Sequence, residues 1–367
     1  MRDAHRWNGS VMMEMMSKVK RLLSVLVEQK GSDLHLSCGV PPILRIHGAL
    51  QTLPEPALTA NDLDQVFREI ISPDQRARFQ VALDLDFVFD VSQLGRFRGN
   101  AFLQQRGTSV VFRLIPAEIP TAEELRLPEV VRSFSSLQNG LVLVTGPAGS
   151  GKSTTLAALI DLINRSRTDH IITIEDPIEF VHTNQRALVN QREVGVHTLT
   201  FASALRAALR EDPDVILVGE LRDPETIATA LTAAETGHLV LGTLHTQSAH
   251  KAIDRMIDSF PTDQQEQSKS MLAESLRGVV AQQLLMRADG SGRVLASEVL
   301  LNSPAVANLI REGKTFQIPA IMQTGRKAGM WLMDQAITEL LADGIVSRDE
   351  AMMHAQDRAS VATRIAQ

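Results

Sequence analysis

Residues 146–153 read GPAGSGKS, an instance of G-x-x-x-x-G-K-[ST]. This pattern works in only one kind of backbone. Its glycines let successive N–H groups converge on phosphate oxygens where a Cβ would intrude, and its lysine brings a point charge to the β- and γ-phosphates. It must lie where an apolar strand ends and a helix begins, so that the positive helix N-terminus adds to the cradle. Here LVLVT (141–145) precedes it and STTLAALI (153–160) follows. The context predicts a parallel α/β domain that binds a nucleoside triphosphate. The binding residues are Gly146, Pro147, Gly149, Ser150, Gly151, Lys152, Ser153 and Thr154, and the Ser153 hydroxyl is a ligand for Mg2+.

The rest of the second half keeps the same rhythm. HIITIE, TFASALRAALRE, DVILVG, PETIATALTAAE and HLVLGTLHT alternate strand and helix, after which the chain reads as mostly helical. Alternating βα units imply a mainly parallel sheet with helices on both faces. The first half differs. A helix starts after Ser17, short strands SDLHLS and ILRIHG follow, and Thr59 with Asp62 opens a second helix in capping-box fashion. LDLDFVFDV alternates so that Leu85, Phe87 and Phe89 share one face, and GRFRGNAFLQQRGTSVVFRLIP reads as two strands joined by a turn. Residues 17–115 are therefore expected to form a small α+β domain with an antiparallel sheet. Pro116, Pro120 and Pro128 mark 116–128 as a linker, and 129–367 form the nucleotide-binding domain with a helical C-terminal part. Residues 1–16 lack periodicity and are expected to be a disordered extension.

Two strands of the second half end in carboxylates: DVILVG in Glu220 and HIITIE in Glu175. Ligands of parallel α/β sheets bind beyond the carboxyl ends of the strands, the edge where the phosphate loop begins. Two carboxylates at that edge suggest a division of labour. We assign Glu175 to the attacking water and Glu220 to the Mg2+ shell through a metal-bound water, which a glutamate can reach; the sequence leaves the two roles exchangeable. His238 and His245 flank the strand LVLGTL. Both are candidate catalytic residues; one would report on the γ-phosphate and the other would tie strands together.

Composition excludes several classes. The formal charge of −6, an aromatic content of 4% and the lack of tyrosine argue against a protein built to neutralise or stack on nucleic acid. A single cysteine, Cys38, allows no disulfide framework within the chain. No apolar run approaches the roughly 18 residues of a membrane span, so the expected location is the cytoplasm.

Four segments occur in one order: GPAGSGKST, HIITIEDPIEFVH, ALREDPDVILVGELRD and TAAETGHLVLGTLHT. Together they resemble the secretion-ATPase superfamily, as a Walker A box, an Asp box, a Walker B box ending in glutamate and a His box. SDLHLSCGVPPILRIHG, GRFRGNAF, LVNQREVG, IDRMIDSFP, SPAVANLIREGK and GMWLMDQAI narrow the resemblance to the type IV pilus retraction ATPases, the PilT/PilU group. The resemblance implies a PAS-like N-terminal domain, a RecA-like ATPase domain, and a homohexamer that uses ATP to withdraw pilin subunits in twitching motility. It implies an inner-membrane platform protein as partner, a second retraction ATPase as an accessory one, and a place at the cytoplasmic face of the inner membrane. It also implies nucleotide contacts from Arg98, Arg106 and Arg113. AVANLIRE departs from the group's AIRNLIRE in having Ala307 for arginine. The rival readings are a pilus assembly or type II secretion ATPase, a RecA-like nucleic-acid motor, and a ring component that binds nucleotide without hydrolysing it. The single cysteine speaks against the first, whose members often carry a four-cysteine zinc insertion.

Overall fold

The computed structural model describes residues 17–46, 48–115, 118–358 and 361–362; the expectation for residues 1–16 lies outside them. The chain divides into two compact units, 1–117 and 118–367.

The first unit carries a six-stranded sheet. Its strands are β1 (Asp33–Ser37), β2 (Ile43–Ile46), β3 (Ala49–Thr52), β4 (Asp84–Val91), β5 (Gly95–Gln104) and β6 (Gly107–Ile115). They lie in the order β3-β2-β1-β6-β5-β4, and each neighbouring pair is antiparallel. Alternation decides the faces: Leu34, Leu36, Phe87, Phe97 and Phe112 point to one side and form a core with Leu22, Leu23 and Leu26 of the helix Lys18–Glu28. The helix Ala60–Ile70 opens with the expected capping box, in which the Asp62 N–H donates to Thr59 Oγ1 at 3.1 Å and the Thr59 N–H donates to Asp62 Oδ2 at 2.8 Å. Two elements escaped the sequence reading. The strand β3 is exposed throughout, and the helix Pro73–Ala82 has no buried residue, so neither leaves an apolar period to detect.

The second unit is built on a seven-stranded sheet. Its strands are β7 (Gly140–Thr145), β8 (His170–Glu175), β9 (Leu188–Glu193), β10 (Val215–Val218), β11 (Leu239–Leu244), β12 (Leu276–Met286) and β13 (Arg293–Leu301). The order is β13-β12-β7-β11-β10-β8-β9, parallel throughout except for β13 at one edge. Both faces are covered. Leu141, Leu143, Ile172, Ile174, Ile216 and Val218 pack into one core, and Val142, Val144, Ile171, Val215 and Leu217 into the other, with Leu156, Leu159 and Ile163 of the helix Lys152–Ser166. Strands buried on both sides read as unbroken apolar runs, which is why LVLVT and VILV were legible.

One expectation needs an addition and one a correction. The chain after β11 is mostly helical, as expected, but it also holds two strands, β12 and β13, that extend the sheet. The apolar residues Leu276, Val279, Val280, Leu284 and Leu285 of β12 fall at helical spacing, and the pairing with β7 overrides that local pattern. The expected linker 116–128 is also too long. Ala122 and Leu127 are buried in the core that holds Leu156 and Ile163, so this part of the segment belongs to the second unit. Ala307 is buried on the helix Pro304–Arg311.

One buried carboxylate ties the C-terminal part together. Glu298 of β13 accepts the Ala249 N–H on Oε1 at 2.7 Å and the Met333 N–H on Oε2 at 3.1 Å. It thereby caps the first turns of both the helix Ala249–Asp258 and the helix Met333–Ala342. Burial pushes its carboxyl up against the pull of the two donors. Glu298→Leu strands both N–H groups and is expected to cost about 2–5 kcal/mol in urea unfolding followed by tryptophan fluorescence. Glu298→Gln, which keeps an acceptor, is expected to cost less. Equal stability of the leucine variant and the native chain would remove Glu298 from this role.

Candidate active site

The carboxyl ends of β7, β8, β10 and β11 form one edge of the second unit's sheet. The phosphate loop leaves β7 at Gly146, whose φ of +146° and crowded surroundings both require glycine; a Cβ would lie 2.4 Å from the Gln282 carbonyl oxygen and 2.6 Å from Ser150 Oγ. Gly151, at φ +90°, is the N-cap of the helix Lys152–Ser166, and no side chain caps that helix. Its first N–H groups are thus left for a ligand. Ser150 Oγ is buried with no hydrogen-bond partner among the described residues. Ser153 is exposed on the first turn.

Lys152 is buried and folds back onto the loop. Its ammonium donates to the carbonyls of Gly146 at 2.8 Å and Pro147 at 3.1 Å, and lies 3.4 Å from His245 Nδ1. Burial draws its pKa down, while the charges of Glu220 and Glu179 pull it back up.

Glu220 is aimed by backbone pairing. The Gly219 N–H donates to Ile174 O at 2.7 Å, and the Leu221 N–H donates to Thr243 O at 3.0 Å. The chain beyond β10 is therefore pinned between β8 and β11, and the close pass needs Gly219: a Cβ there would lie 3.1 Å from Ile174 O. Glu220 is mostly buried, and both of its contacts fall on Oε1, with Arg222 Nε at 2.6 Å and His245 Nε2 at 3.1 Å. Burial alone would raise its pKa, but hydrogen bonds from Arg222 and His245 outweigh that and hold it below the ordinary carboxylate range. His245 is thus a bridge: with Nδ1 accepting from Lys152, Nε2–H donates to Glu220, the tautomer that satisfies both neighbours. Glu220 thus has both a neighbouring cation, Arg222, and a link to the phosphate loop through His245.

Glu175 ends β8. Its Oε1 accepts from Thr173 Oγ1 at 2.6 Å and Gln191 Nε2 at 3.1 Å. Burial nevertheless pushes its carboxyl above the ordinary range, and these hydrogen bonds only moderate the shift. The two strand-end carboxylates therefore differ in kind. Glu220 is held ionised, whereas Glu175 has raised proton affinity, the division expected of a metal-side group and a base.

His238 is a correction. Its Nδ1 lies 3.0 Å from Ala233 O, and its carbonyl accepts the Gly140 N–H at 3.0 Å. It stands at the amino end of β11 beside the start of β7, at the sheet edge opposite the phosphate loop. It ties the helix Pro224–Glu235 to the sheet, and only His245 joins the cradle. The three arginines lie in the first unit. Arg98 pairs with Asp86 at 3.3 Å, Arg113 donates to the buried Asp33 at 2.8 Å, and Arg106 is exposed at the turn between β5 and β6. Sequence reasoning missed Thr173, Gln191 and Gln282 as neighbours of the site. Gln191 lies in LVNQREVG, where the mixed burial of the strand β9 leaves no clean alternation to mark it.

Residues 96–353 match the family model described as Type II/IV secretion system protein. The Type IV pilus retractation ATPase PilT of Pseudomonas aeruginosa is 51% identical over 333 residues, which cover 91% of this chain and 96% of that protein. The twitching motility protein of Neisseria gonorrhoeae is 50% identical over 320 residues, covering 87% of this chain and 86% of that one. The crystal structure of the pilus retraction motor PilT with bound ADP matches with a TM-score of 0.87 at 45% identity, covering 94% of this chain and 99% of that one. A phosphate cradle, two strand-end glutamates and these likenesses along nearly the whole length have one common meaning: the chain belongs to the type II/IV secretion system protein family, in its branch of pilus retraction ATPases.

Proposed function

We propose that this chain is the subunit of a hexameric motor that hydrolyses ATP to drive type IV pilus retraction. The observation that carries the reading is the contact chain Lys152–His245–Glu220, which joins the phosphate loop to the end of β10.

The loop N–H groups and Lys152 bind the phosphates, with Lys152 exchanging the carbonyls of Gly146 and Pro147 for phosphate oxygens. An exposed hydroxyl on the first helical turn and a carboxylate kept ionised fit a hard cation, so Ser153 would hold Mg2+ directly and Glu220 through water. When bound, Mg2+ supplies charge neutralisation on the phosphate oxygens. Glu175 accepts the proton of the attacking water, a role suited to its raised proton affinity. His245 touches both Lys152 and Glu220, so it couples a change at the γ-phosphate to the end of β10. Arg98, Arg106 and Arg113 are further candidate nucleotide contacts, as the resemblance implies, since guanidinium groups stabilise charge on phosphate oxygens.

Six copies form the ring, with an inner-membrane platform protein and a second retraction ATPase as partners at the cytoplasmic face of the inner membrane. Among the described residues no helix is long and apolar enough to cross that membrane. Deleting the gene and imaging pili tests the direction of the work. Excess surface pili with twitching lost is the expected result; absence of pili would mean an assembly motor instead.

A further inference from the structure

Thr173, Glu175 and Gln191 lie together on two neighbouring strands. In the register of β8 and β9, Thr173 stands opposite Gln191 and Glu175 opposite Glu193. Thr173 and Glu175 are two residues apart, so they share a face, and alternation puts it on the side of Ile171, the side covered by the helix Lys152–Ser166. Thr173 is buried and donates to Glu175 Oε1. Gln191 donates to the same oxygen, and its Nε2 also donates to Phe180 O at 2.8 Å. Its Oε1 accepts the His182 N–H at 2.8 Å. The Gln191 amide is thus fixed from both ends, its orientation leaves the donor toward Glu175, and both side-chain donors fall on one carboxylate oxygen.

We infer that Gln191 and Thr173 are positioning residues for the hydrolytic water: together they lock Glu175 by its Oε1 and so fix the orientation in which the carboxylate meets the attacking water. The inference rests on Glu175 being the base, as proposed above. Neither residue needs to touch nucleotide. A glutamate at the end of a strand has three free torsions, and a base is effective only when held within hydrogen-bond reach of the proton it takes. The neighbouring charges give no alternative anchor. The charge of Glu179 repels the carboxylate, although its backbone N–H also donates to it, so Thr173 and Gln191 are the side-chain anchors beside that one backbone donor. Glu193 across the register is occupied by the Ile178 N–H at 3.1 Å. Arg222, just past the end of β10, is committed to Glu220.

Two donors also favour the ionised carboxylate, so removing one raises its pKa and leaves more of the base protonated at a given pH. The acid limb of the rate profile then moves to higher pH. Thr173→Val is close to isosteric and keeps the buried volume, and Thr173→Ser keeps the donor. The test is the pH dependence of steady-state ATP hydrolysis by the assembled full chain for Thr173→Val, Thr173→Ser, Gln191→Leu and Glu175→Gln. The inference expects the valine and leucine variants to lose roughly tenfold in kcat with KM for ATP unchanged, as supporting partners of a reactive group do. Their acid limbs should rise by roughly one pH unit, and serine should restore the native profile. Unmoved limbs in both, or a change confined to KM, would overturn it. Undiminished turnover by Glu175→Gln would instead sink the base assignment itself, and the inference with it.

Discussion

Lys152→Ala is expected to abolish ATP turnover, lowering kcat/KM by at least about 10²–10³-fold in a phosphate-release assay, the loss seen when one preorganised donor to developing charge is removed. The reason lies in how the ammonium is held. Lys152 is buried, and its contacts are two carbonyls of the loop and His245. These neutral partners are weaker than phosphate oxygens, so exchange toward a triphosphate is downhill. Alanine loses the charge and removes the ammonium donor from the Gly146 and Pro147 carbonyls, the latter keeping the Ser150 N–H at 3.2 Å. Turnover by Lys152→Ala within a factor of a few of the native rate would show that the cradle is not where hydrolysis occurs.

Glu175→Gln is expected to retain nucleotide binding and lose about 10²–10⁴-fold in kcat, the usual contribution of a positioned general base. The substitution is nearly isosteric, and its carbonyl oxygen can still accept from Thr173 and Gln191. Binding should survive because the loop and Lys152 grip the phosphates independently. A carboxylate acting as a base works only when ionised. Burial raises the Glu175 pKa, so activity is full above that value and falls as pH drops through it. The acid limb should therefore lie above the pH at which an exposed glutamate titrates. A limb at the ordinary glutamate value would contradict the burial argument.

The site was legible where one residue type is demanded by chemistry at a fixed spacing. GPAGSGKS could be read because glycine is required at Gly146 and Gly151 by backbone geometry. Glu220 and Glu175 could be read because strands buried on both faces announce their ends. The carboxyl-end rule that picks out Glu220 also favours His245, which follows its strand, over His238, which precedes it, and the structure agrees with that rule. The strand β12 was missed because its apolar residues fit a helix as well as a strand, and the choice is made by β7 alongside it. With β12 went Gln282, whose carbonyl closes one side of Gly146. The supports of Glu175 come from a strand pairing between residues 173 and 191, and no local pattern carries such a pairing.

The central claim is that two strand-end glutamates divide the work, with Glu220 serving the metal and Glu175 the water. The measurement that tests it most directly is the Mg2+ concentration giving half-maximal ATP hydrolysis in Glu220→Gln and Glu175→Gln, compared with the native chain. The account predicts that Glu220→Gln needs more Mg2+ while Glu175→Gln has the native requirement at a much lower maximal rate. A raised Mg2+ requirement in Glu175→Gln with none in Glu220→Gln would contradict it.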